Sequence, residues 1–381
     1  MNQQTTGMPS GRVSSIDIAR FIGISLVFYG HLVEQVMYLE NAAAAAQYKW
    51  VYSFHMPLFF LLAGTVVSSR ITQNTLTGFL WTRWTTRMVP YLFFALGLGV
   101  VAMFVPGWLP MTVPTNPPAL AEPGFYPSGF VSTLMGMPAF HVPFWFLASL
   151  ISLEVFHYFV GRLWTSKLRL AIGAVVFYLI GYYLNLYVDF FSRGWVFWLV
   201  NLIPLGYAFY LTGMLVRRTG ILDRSYPRWQ LALVVLACIA GVFLTYDLNQ
   251  GPWRLGLEAV VIVAGAPGDL IWFPITALTG ITMVIAVAKL LPQWRFLQYL
   301  GEITLLIYGL HGIFYHFVNM PLAKSVMPHL PDHGWSVFLF TTAGTAVSVA
   351  ICIPVALFIA QYMPLVAGRA PAPRTALKAA T

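Results

Sequence analysis

Charged side chains are scarce in this chain: they make up 9% of its 381 residues, against about a quarter of a typical soluble domain. So few charges cannot hydrate the surface of a water-soluble globule this size. Lipid must be the solvent for much of the exterior. Cysteine is scarce too. Cys238 and Cys352 both lie in apolar runs, where they read as small buried hydrophobes and say nothing about redox compartment. No HExxH, CxxC or Walker loop is present. The histidines lack the short spacing of a metal site, so no metal is expected. Residues 1–15 are polar and show no cleavage-site pattern, so the helix from Ile16 is expected to be retained. No internal repeat and no appended soluble domain are visible.

Hydrophobic residues are abundant, at 59%. A membrane span needs about 20 of them in a row. Ten candidate spans emerge, roughly 16–39, 50–69, 88–110, 143–161, 169–188, 195–216, 229–246, 270–291, 296–319 and 335–363. The fold class is therefore all-α: a polytopic transmembrane helical bundle of about ten helices. Residues 1–15 form a cytoplasmic segment, 16–363 the transmembrane domain, and 364–381 a flexible Ala/Pro-rich cytoplasmic tail. The apolar run from Ala259 to Ala266 is too short to span and is expected to be re-entrant.

The net charge of +9 is a topology signal. With the N-terminus placed inside, sixteen Lys and Arg fall on inner segments. Only Lys49, Arg193, Arg254 and Lys324 fall on outer ones, and Arg20 sits near the inner end of the first span. That bias puts both termini in the cytoplasm and leaves no patch for nucleic acid. The inner segment 70–87 mixes Phe79, Leu80, Trp81 and Trp84 with Arg83 and Arg87, which suits an amphipathic helix at the interface. The outer segment 111–142 is rich in proline, lacks Lys and Arg, and is expected to be an irregular lid.

Ionisable groups inside the spans are costly and call for a role. Asp17 and Arg20 are three apart on one helical face. That pair reads equally as an interfacial anchor or as part of a site. His31 follows Arg20 by eleven residues, about three turns and about 16 Å along the axis. Glu34 continues the stripe. His55 precedes Pro57 and reads either as catalytic or as a partner for a free carbonyl. His141 opens the fourth span beside Trp145, which also fits an aromatic belt. Glu154, deeper in that span, needs a partner. Tyr308 and His311 share a face of the ninth span. His316, His329 and His333 read as unremarkable.

These residues resemble the membrane acyltransferase-3 superfamily, whose members include O-antigen and fucose O-acetylases. The resemblance covers roughly 14–363. An Arg and a His about three turns apart in the first helix are matched by Arg20 and His31. An F-H-M-P-L-F-F-x-x-[SA]-G run is matched by Phe54 to Gly64. An Arg-rich inner segment before a proline is matched by Arg83, Arg87 and Pro90, though Trp84 and two threonines spread the arginines apart. A W-F-L run is matched by Trp145 to Leu147, and a late G-x-x-[ST]-x-x-x-Y-x-x-H pattern by Gly301, Thr304, Tyr308 and His311.

The resemblance implies transfer of an acyl group, usually acetyl, from cytoplasmic acyl-CoA to a hydroxyl of an extracytoplasmic glycan or related small acceptor. It implies a multi-pass protein of the bacterial inner membrane, with lipid and acyl-CoA as partners. On that footing His31 is the expected general base or acyl acceptor, with Asp17, Arg20, Glu34 and His55 as catalytic candidates around it. Arg20, Arg83 and Arg87 are expected to meet the phosphates of acetyl-CoA. His141, Trp145, Tyr308 and His311 are expected to face the acceptor. The competing classes are a proton-coupled transporter or flippase and an acyl-donor channel for a separate transferase.

Overall fold

The computed structural model describes residues 14–67, 69–104, 125–331 and 333–369. Residues 111–124 of the proline-rich segment 111–142 and most of both terminal segments lie outside these. Among the described residues the fold is all-helical, with two isolated β-bridges and no named strand. Eight helices there are long and apolar enough to cross a membrane, and a ninth is formed by a bent pair.

Helix α1 (Ser14–Met37) carries the polar stripe and is the hub of the bundle. The predicted span at 50–69 takes a different form. It is two short helices, α2 (Ala42–Tyr52) and α3 (His55–Val66), broken at Ser53 and Phe54. Asn41 caps α2 by accepting from Ala44 N–H at 2.9 Å. The twelve residues of α3 reach about 18 Å, short of a roughly 30 Å hydrocarbon core. Its depth is held by packing: a Cβ at Gly64 would meet the Tyr210 carbonyl oxygen at 2.0 Å, and one at Gly213 the Leu61 oxygen at 2.0 Å. Small residues let two backbones touch without side chains between them.

The segment 70–87 also departs from expectation. α4 (Leu76–Arg83) runs through a π-turn at Trp84–Met88 directly into α5 (Val89–Phe104). Leu76–Val101 is thus one candidate span, and Arg83 and Arg87 lie in its first half. The expected interfacial helix is simply the first part of a crossing helix. Leu80, Trp81 and Trp84 face outward, while Phe79 is buried. The described end of segment 111–142 is likewise more regular than a lid of loops, since it holds α6 (Phe125–Leu134).

Five further helices complete most of the wall: α7 (Trp145–Val160), α8 (Lys167–Tyr187), α9 (Ile203–Thr219), α10 (Arg228–Thr245) and α11 (Trp272–Leu290). The ninth crossing is bent by 63°. There α12 (Arg295–Glu302) gives way to α13 (Thr304–Ile313) at Ile303, whose φ and ψ of −92° and 12° leave the helical well. The Thr304 hydroxyl donates to the Gly301 carbonyl at 2.8 Å at this bend. A Cβ at Gly301 would lie 1.9 Å from the Asp17 carbonyl oxygen, so only glycine lets α12 seat on α1. A π-turn at Phe314–Val318, then α14 (Asn319–Val326) and α15 (Gly334–Tyr362), close the bundle.

The connections stitch into two ends. At one, Arg162 donates to the Thr72 carbonyl, Arg218 to that of Trp164 and Arg228 to that of Leu290. At the other, Lys49 pairs with Asp247, and Arg254 with Asp189. The segment 247–269, which contains the run Ala259 to Ala266, folds over this second end. Arg254 anchors it to the Asn185 carbonyl at 2.6 Å. We call the first the arginine end.

Candidate active site

Three turns into α1 from Arg20, the His31 side chain meets its own helix. His31 Nδ1 lies 2.9 Å from Glu34 Oε2. A carboxylate accepts, so Nδ1 carries the proton, and in the neutral ring Nε2 is left with the lone pair. Both side chains are largely buried, at 13% and 7% exposure. Glu34 is held in turn: Tyr38 Oη donates to Oε1 at 2.9 Å, and Tyr52 Oη to Oε2 at 3.4 Å. A buried carboxylate with several donors is what a lipid-embedded charge requires.

Glu34, rather than His55, is therefore the residue oriented on His31. His55 Nδ1 donates to the Val51 carbonyl at 3.0 Å across the α2–α3 break, the carbonyl-partner option of the sequence reading. The Tyr52 ring stands between the two histidines, with centroids 4.6 Å from His55 and 6.1 Å from His31.

A second polar group lies at the arginine end. Arg83 Nε is 3.3 Å from Glu154 Oε2, and Arg87 Nη2 is 3.4 Å from Oε1. The carboxylate on α7 thus finds its partners on α4 and the π-turn after it. Two arginines share one carboxylate, which leaves positive charge at the surface they line. Arg20 pairs with Asp17 at 2.9 Å.

A cavity of about 400 Å³ opens beside this second group. Arg20, Arg83, Arg87, Glu154 and Glu302 line one part of it. Ile24, Met56, Leu62, Leu147 and Leu150 line an apolar stretch. Val27 and Tyr308 also line it. They stand four residues before His31 and three before His311, so the cavity stops about one turn short of both histidines.

The four residues expected to face an acceptor are all buried, and they divide. His311 is beside His31, with ring centroids 5.0 Å apart. Tyr308 donates its hydroxyl to the Pro143 carbonyl, tying α13 to the start of α7. His141 Nε2 donates to the Gly309 carbonyl at 2.8 Å, a link between the same segments. Trp145 is 7% exposed within the core and forms no aromatic belt.

Sequence reasoning missed Tyr38, Tyr52 and Tyr315, which surround the His31–Glu34 pair. Tyr38 and Tyr315 were findable: each follows a singled-out residue, Glu34 or His311, by one turn. Tyr52 arrives from another helix, which no local spacing reveals. His157 was also missed. Its Nδ1 accepts a hydrogen bond from the Tyr207 hydroxyl at 2.8 Å, while that hydroxyl accepts from Trp164 Nε1 at 2.7 Å.

The fold and this arrangement define a class: a multi-pass helical membrane protein with a buried His–Glu pair beyond an arginine-lined cavity. Residues 13–357 match the acyltransferase domain of acyltransferase family 3, and the chain belongs to that family. It is a multi-pass membrane acyltransferase. Nodulation protein NolL of Sinorhizobium fredii is 25% identical over 330 residues, covering 82% of this chain and 80% of that protein. NolL of Mesorhizobium japonicum is 34% identical over 86 residues, which cover 22% of this chain and 23% of that protein. No solved structure matches.

Proposed function

We propose that the protein is an O-acyltransferase, with acetyl as the acyl group. It takes the group from acyl-CoA at the cytoplasmic face of a bacterial inner membrane. The acceptor is a hydroxyl of an extracytoplasmic glycan or a related small molecule. The observation that carries this reading is the axis of α1: Arg20 on the cavity wall and the His31–Glu34 pair about three turns further on.

The bias of Lys and Arg toward the arginine end supports a cytoplasmic position for that end. Acyl-CoA is a cytoplasmic polyanion, and Arg83, Arg87 and Arg20 suit its phosphates. Glu154 is then a counter-ion that keeps both guanidinium groups oriented while the site is empty. The apolar stretch of the cavity receives the acyl-bearing arm and leads it toward His31.

At His31, Glu34 holds the proton on Nδ1 and Nε2 acts. As general base, Nε2 takes the acceptor's hydroxyl proton while the oxygen attacks the thioester carbonyl. The C–S bond then breaks and the proton passes to the CoA sulfur. As nucleophile, Nε2 itself takes the acyl group and releases CoA before the acceptor arrives. The second route requires ping-pong kinetics. Both depend on the same nitrogen.

The test is transfer of radiolabelled acetyl from acetyl-CoA to the glycan fraction of membranes bearing the wild-type protein or folded His31→Ala. Label is expected with wild type and absent with the variant. Near-normal labelling by the variant overturns the reading.

A further inference from the structure

His311 is fully buried, and neither of its ring nitrogens has a hydrogen-bond partner among the described residues. An imidazole left so in the core of a membrane protein costs stability. Its surroundings fix it there. The Phe28 ring meets it edge-on with centroids 4.4 Å apart, and Tyr315 stands 6.2 Å away. The π-turn at Phe314–Val318 follows directly, a device that often marks functional positions.

Two observations aim this residue at the reaction. Its ring lies 5.0 Å from that of His31. Val27 and Tyr308, one turn before each histidine, both line the donor cavity. Rings that close can address one reacting carbon, one at its incoming oxygen and the other at its carbonyl oxygen. They are not equivalent. Glu34 pairs with His31, while no carboxylate hydrogen-bonds to His311. A buried imidazolium without a hydrogen-bonded partner is costly, so His311 serves as a neutral imidazole with one N–H.

We propose that His311 is a second catalytic histidine, whose N–H stabilises the oxyanion of the thioester carbonyl. The inference rests on the reading of the site as an acyl-transfer centre. The acceptor oxygen attacks the carbonyl carbon, and its proton goes to His31 Nε2. The carbonyl electron pair moves onto oxygen, where the His311 N–H receives it. On collapse the pair returns, the C–S bond breaks, and His31 gives its proton to sulfur. His311 gains and loses no proton. A preformed donor in a water-excluded site is worth about 10²–10³-fold in rate.

The experiment compares His311→Ala, →Leu, →Gln and →Asn in membranes carrying the native acceptor, with labelled acetyl-CoA as probe. Thermal stability of each purified variant is checked alongside. The alanine variant is expected to lose about 10²–10³-fold in kcat with donor KM within threefold. Gln or Asn, which place an N–H near Nε2 or Nδ1, is expected to recover at least tenfold over Ala. If Ala does not fold, Leu against Gln and Asn gives the same comparison at similar volume. Alanine activity above one tenth of wild type, a loss confined to KM, or no gain with either amide overturns the inference. Inactive His31→Ala beside active His311→Ala would sink this role alone. Activity in both would sink the reading of the whole site.

Discussion

At the scale of the residue, the account turns on which nitrogen of His31 is available. Glu34 holds Nδ1 at 2.9 Å, so removing its charge removes the bias toward a reactive Nε2. Glu34→Gln is expected to lower kcat roughly 100-fold with little change in donor KM, as read from initial rates at varied acetyl-CoA. Tyr52→Phe removes one of several donors to the same carboxylate and is expected to cost less than about tenfold. Arg87→Ala acts elsewhere. It is expected to raise the donor KM about tenfold and leave kcat nearly unchanged, because a charge-assisted hydrogen bond to phosphate contributes about 1.5–3 kcal/mol. Much of this was legible beforehand. The stripe Arg20, His31, Glu34 follows from helical spacing on one segment, as does the Tyr308–His311 pair. What was not legible is how helices meet. Glu154 was seen to need a partner, yet nothing in its own helix named Arg83 and Arg87. His55 and Glu34 were both catalytic candidates around His31 until the α2–α3 break gave His55 the Val51 carbonyl.

At the scale of the element, the bent crossing deserves the sharpest test. Gly301 was known only as a motif position, and its physical role is the backbone contact with Asp17 on α1. Gly301→Leu forces the two helices apart, which also carries Tyr308 and His311 away from α1. The expected result is a loss of at least about 1–3 kcal/mol in stability, seen as a lower melting temperature of the purified protein, together with loss of transfer. Hydropathy found the long helices well, because any apolar run near twenty residues is visible in one dimension. It misjudged two segments for the same reason. The run at 50–69 hides a break at Ser53 and Phe54. The arginines of 70–87 masked the start of a crossing helix, since their partner Glu154 lies 67 residues ahead of Arg87.

At the scale of the whole molecule, the claim is directional: donor from the arginine end, acceptor from the other. Single cysteines in a background lacking Cys238 and Cys352 report the direction of the bundle. A cysteine at Arg224 is expected to react with an impermeant maleimide only in inverted vesicles, and one at Leu255 only in right-side-out vesicles. The most direct measurement adds impermeant labelled acetyl-CoA to sealed vesicles of each orientation that contain the native acceptor. The account expects label in the glycan fraction of inverted vesicles, none in right-side-out vesicles, and none in either with His31→Ala. Equal labelling in both orientations, or undiminished labelling by the variant, would contradict it.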